Sequence, residues 1–152
     1  MDNNKDIVKH LNGLIEINND RVEGYRTAAE ETKDSALRSL FERFASQSRS
    51  YRDELAGLVR ANGGEPVEGT TQSGKLYRVW MDIKAALSGN DRKAVLSNCE
   101  YGEDVALESY RGVTEAKDLT LPSNVRELLQ QQQKEIKRAH DDIKQMRDAA
   151  AA

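Results

Sequence analysis

The chain has 152 residues, 38% of them hydrophobic and 32% charged, with a formal net charge of −3. That length suits one domain with a single core, and domain 1–152 is read as one unit. The slight negative charge, with no block of five like charges, excludes a general electrostatic pull toward nucleic acid or anionic lipid.

Only 5% of the residues are aromatic and there are two prolines. Leu, Ala, Glu, Lys, Arg and Gln are abundant, which points to helices. A first helix is expected over 4–32, where Ile7, Leu11, Leu14, Ile15, Val22, Tyr25 and Ala29 recur at steps of three and four. Asp34 or Ser35 then offers an N-cap. A second helix is expected over 35–62, with the stripe Leu37, Leu40, Phe41, Phe44, Tyr51, Leu55, Leu58 and Val59. Asn62-Gly63-Gly64 stops it, with Pro66 just beyond.

Residues 63–74 form the longest connection. A short amphipathic helix is expected over 75–88, carrying Leu76, Trp80, Ile83 and Leu87. Asn90 or Asp91 can cap the next helix, over 91–117, whose seam is Val95, Leu96, Cys99, Ala106, Tyr110 and Val113. A turn around Pro122 leads to the last helix, over 123–147, with Val125, Leu128, Leu129, Ile136, Ile143 and Met146.

Four long helices of roughly 27 residues, about 40 Å each, therefore flank one short one. Short turns make the first and last pairs antiparallel hairpins. The long middle connection predicts a crossover that leaves the second and third long helices parallel, the ferritin-like arrangement of a four-helix bundle. The alternative is a simple up-down-up-down bundle with a decorated loop; the length of the connection favours the crossover. The pattern E-x-Y-R-x-x-x-E occurs at Glu23 and again at Glu108, and in that register Asn18 falls where Glu103 stands.

Glu103 shares a seam with Cys99, Ala106 and Tyr110, so it is expected to point inward, with Glu100 at the seam's edge. His140 shares a face with Ile136 and Ile143 and is expected to point inward too. The turn near Leu121 sets Glu103 level with residue 139, and the first turn sets Asn18 level with Ser48 or Gln47. One mid-bundle layer is thus predicted to hold Asn18, Ser48, Glu103 and His140.

A di-iron bundle needs inward carboxylates and two Glu-x-x-His pairs, because residues three apart on one helical face can chelate one ion. Lys137 and Ile7 stand three before His140 and His10, so neither histidine has its glutamate. The donors that remain are Glu100, Glu103 and His140, a set for one Zn²⁺ or Fe²⁺ at most. No cofactor is expected, with iron or zinc as the alternative, and the favoured reading of the layer is a hydrogen-bonded Glu–His pair. Cys99 is read as a small core residue rather than a nucleophile, and no phosphate loop, Ser/His/Asp set or CxxC pair appears.

The stretches LNGLIEINNDRVEGY, GKLYRVWMDIKAALSGND, NCEYGED and IKRAHDDIKQMRD together resemble a family of small bacterial ferritin-like bundles, domain of unknown function 2383. The resemblance spans nearly the whole chain and implies the bundle but no activity. The expectation is a cytoplasmic, non-enzymatic protein without a membrane span that acts through protein association, with a stress-associated role and a homodimer among the options. The rivals are a metal-binding oxidoreductase with a degenerate di-iron site and a lipid-surface bundle.

Overall fold

The computed structural model describes residues 2–71 and 73–150, and among them there are five helices and no strand. They are α1 (Asp2–Glu31), α2 (Ser35–Ala61), α3 (Gly74–Ser88), α4 (Arg92–Thr114) and α5 (Ser123–Ala149). Local chemistry sets these ends. The Asp34 carboxylate accepts from the backbone N–H groups of Ala36 and Leu37, and Asp91 accepts from Ala94. Asn62 closes α2, and Gly63 follows at φ 84°, where a side chain would be strained. α4 ends three residues before the expected Lys117. The chain leaves the helix there to tuck Leu119 and Leu121 into the core.

Hydrogen bonds trace the path of the chain. After α2 the connection climbs along α1: Asn12 bonds Glu65 and Val67, Asn19 bonds Gly69, and Asp20 bonds Thr71. α3 continues the climb, until Lys84 reaches Glu31 at 3.8 Å. Arg92, at the start of α4, pairs with Asp34, at the start of α2. α4 then descends antiparallel to α1, for Asn18 meets Tyr110 while Arg21 meets Glu103. α2 and α4 are consequently parallel, and the crossover expected from the connection length is the topology of the bundle.

The core falls into two apolar clusters. One gathers Ile7, Leu11, Leu14, Leu55, Tyr110 and Leu129; the other gathers Tyr25, Phe41, Phe44, Ile83, Leu96 and Ile143. Each fully buried aliphatic side chain contributes about 1.5–3 kcal/mol. α3 lies over the second cluster because two glycines admit it. A Cβ on Gly24 would sit 2.2 Å from the Trp80 ring, and one on Gly102 would sit 3.1 Å from Val79 Cγ1. Trp80 anchors the helix further through an edge contact with Tyr25, ring centroids 5.1 Å apart.

Candidate functional site

Across the middle of the bundle lie buried polar side chains, among them Asn18, Arg21, Ser48, Glu103 and Gln132. Arg21 stands on α1 at the seam step between Asn18 and Tyr25. It forks onto Glu103, with Nε 3.0 Å from Oε2 and Nη2 2.5 Å from Oε1. Nη2 also donates to Gln47 Oε1 at 3.2 Å, and the guanidinium carbon sits 5.7 Å from the centre of the Tyr25 ring. Burial by itself would lower the Arg21 pKa, but its neighbours, the Glu103 carboxylate foremost, together raise the value.

About one turn away along α1, a second chain of bonds spans four helices. Asn18 Nδ2 donates to the Tyr110 hydroxyl at 2.9 Å, and that hydroxyl donates to Gln132 Oε1 at 2.6 Å. Gln132 Nε2 in turn donates to Glu54 and to the backbone oxygen of Tyr51. Ser48 is satisfied within its own helix by Phe44 O. Asn18 Oδ1 and Arg21 Nη1 are buried without a hydrogen-bond partner. Burial, with Glu103 nearby, pushes the Cys99 thiol well up, so it is a poor nucleophile.

Asn18, Ser48 and Glu103 hold the layer positions expected of them, but His140 does not. The α5 seam runs through Ile136, Ala139 and Ile143, which leaves His140 at the bundle's edge. There its Nε2 lies 2.9 Å from Asp104 Oδ1 and 3.4 Å from Glu100 Oε2, and its Nδ1 lies 3.0 Å from Asp141. Glu100 also pairs with Arg147. The expected Glu103–His140 pair is therefore corrected: Arg21 takes both oxygens of Glu103. Glu100 and His140 come together, while Glu103 faces a guanidinium that repels any added cation. Among the described residues no group of three or more His, Cys, Asp or Glu side chains is placed to hold a metal ion.

Sequence reasoning missed Arg21 as a buried partner; of Gln130 to Gln133, expected to form a solvated face with one inward member, it is Gln132 that turns inward. The signal was present. Ile7, Leu11, Leu14, Asn18, Arg21 and Tyr25 follow one alternation of four and three, and so do Val125, Leu129, Gln132, Ile136, Ala139 and Ile143.

An all-helical crossover bundle with an ion-paired layer across its middle is the class that fold and interior define. The family model described as domain of unknown function 2383 matches residues 6–117, and the chain belongs to that family. No match was found among curated proteins. No helix among the described residues is long and apolar enough to cross a membrane.

Proposed function

We propose that this is a ferritin-like, non-enzymatic bundle, stress-associated in role, that acts by protein association, with a second copy of itself as its first partner. The observation that carries this reading is where large apolar side chains stay exposed. Tyr77, Met81 and Tyr101 are 68%, 46% and 48% exposed, and all three lie on α3 and α4. Tyr77 and Met81 stand one turn apart on α3, and Tyr101 stands on α4, which packs against α3 through Val79 and Gly102. Large apolar side chains left exposed in this way are candidates for association surfaces. The interior supports the same reading, since its carboxylate is neutralised and its thiol is buried.

Sedimentation velocity over a concentration series tests it. The wild-type protein is expected to run as a dimer, and a Tyr77→Glu/Tyr101→Glu variant as a folded monomer. A wild-type chain that stays monomeric at high micromolar concentration overturns the dimer. Stoichiometric metal with turnover, in protein purified without chelator, overturns the non-enzymatic reading.

A further inference from the structure

Between α1 and α3 runs a groove of about 350 Å³, within the range of small-molecule sites. Its apolar wall comes from α3: Tyr77, Trp80 and Met81. Its other side is acidic, with Asp20, Glu23 and Glu31 all on α1. Lys84 is the one cation among the lining residues, and it is already engaged by Glu31 at 3.8 Å. Asp20 is held in place by the Thr71 backbone N–H and hydroxyl. Glu23 is exposed and joins no ion pair among the described residues. An aromatic and thioether wall facing unneutralised carboxylates is complementary to a cation with an apolar body.

We infer that the α1–α3 groove is a binding site for a small organic cation of the alkylammonium class, its charged head at Glu23 and Asp20 and its apolar part against Trp80 and Met81. Burial raises the Asp20 carboxyl above its usual value, as expected of a carboxylate already short of water. An incoming ammonium supplies the charge that this position lacks. Tyr77 and Met81 belong both to the proposed association face and to this lining, so binding is read at protein concentrations where the chain is monomeric, which leaves the groove open. Tyr101 does not line it, so a Tyr101→Glu chain keeps the groove whole.

Trp80 is the only tryptophan, so its emission reports on the groove directly. The probes are hexyltrimethylammonium, 1-hexanol and hexyl sulfate, titrated into the full chain as wild type, Glu23→Gln, Glu23→Lys and Tyr101→Glu. The cation is expected to give a saturable change in emission, with hexanol binding about tenfold more weakly, the worth of ~1.4 kcal/mol, and hexyl sulfate not saturating. Glu23→Gln is expected to weaken the cation severalfold, Glu23→Lys to abolish the response, and Tyr101→Glu to leave it unchanged. Glu23 is a solvent-exposed residue of a long helix, so these variants fold. Equal binding of hexyl sulfate, an unchanged response in Glu23→Lys, or no saturable response at all overturns the site. Loss of self-association in Tyr101→Glu with cation binding intact separates this inference from the association reading.

Discussion

Arg21 and Glu103 meet across the middle of the bundle as a two-bond fork, with Nε–Oε2 at 3.0 Å and Nη2–Oε1 at 2.5 Å, both side chains almost wholly buried. The pair joins α1 to α4, helices that are neighbours in space but far apart in the chain. A fork of this kind fixes register as well as distance, since a slip of one residue would turn both charges away from each other. It also explains why the apolar core is split in two.

Breaking the fork on one side should cost more than removing it. Arg21→Met leaves a buried carboxylate unpaired, and about 3–5 kcal/mol of stability is expected to go. The double variant Arg21→Met/Glu103→Leu is expected to lie much closer to wild type. Urea unfolding of the two single variants and the double variant gives the coupling. A double variant as unstable as the worse single one would show that the layer's geometry, not its charge balance, matters.

Tyr110 links Asn18 to Gln132 through its hydroxyl. Tyr110→Phe keeps the ring and leaves Gln132 Oε1 and one Asn18 donor contact without their partner. A loss of about 1–3 kcal/mol is expected, read as a lower thermal midpoint with unchanged helicity by circular dichroism.

Gly24 and Gly57 should respond to alanine in opposite directions. A methyl group at Gly24 collides with the Trp80 ring, whereas at Gly57 it meets nothing within 4 Å. Gly24→Ala is expected to destabilise by about 1–3 kcal/mol and to shift Trp80 emission as α3 lifts. Gly57→Ala is expected to stabilise by about 0.5–1 kcal/mol through helix propensity alone.

Alkali should weaken the fold. Burial raises the Cys99, Tyr25, Tyr51 and Tyr110 pKa values above their ordinary 9.0 for the thiol and 10.0 for the phenols. A group whose folded pKa lies above its unfolded one stabilises fully below the unfolded value and loses that contribution as pH rises toward the folded one. Stability is therefore expected to hold at pH 8, to begin falling near pH 9, and to fall faster above pH 10. Each group that ionises only in the unfolded chain adds about 1.4 kcal/mol per pH unit. Urea midpoints across this range test the slope. Tyrosinate absorbance from the three buried phenols should appear together with unfolding rather than before it.

Much of this protein is determined by local sequence. Apolar steps of three and four, Asp34 and Asp91 as caps, and Asn62-Gly63 as a stop place every helix, because those effects act within a few residues. Connection lengths favour the crossover in the same way, because the chain between α2 and α4 is long enough to return to the end at which α2 starts. Glu103, Asn18 and Ser48 are legible as inward residues for the same reason. What only tertiary structure decides is partner choice. The spacing around residue 140 allows either Ala139 or His140 to face the core, and packing against α2 and α4 selects the smaller, apolar one. Arg21 falls on the α1 seam by its spacing, but nothing in α1 says which carboxylate of another helix its fork will meet. A buried charge is tolerable only when paired, and the pairing partner is a property of how the helices sit together, not of either helix alone.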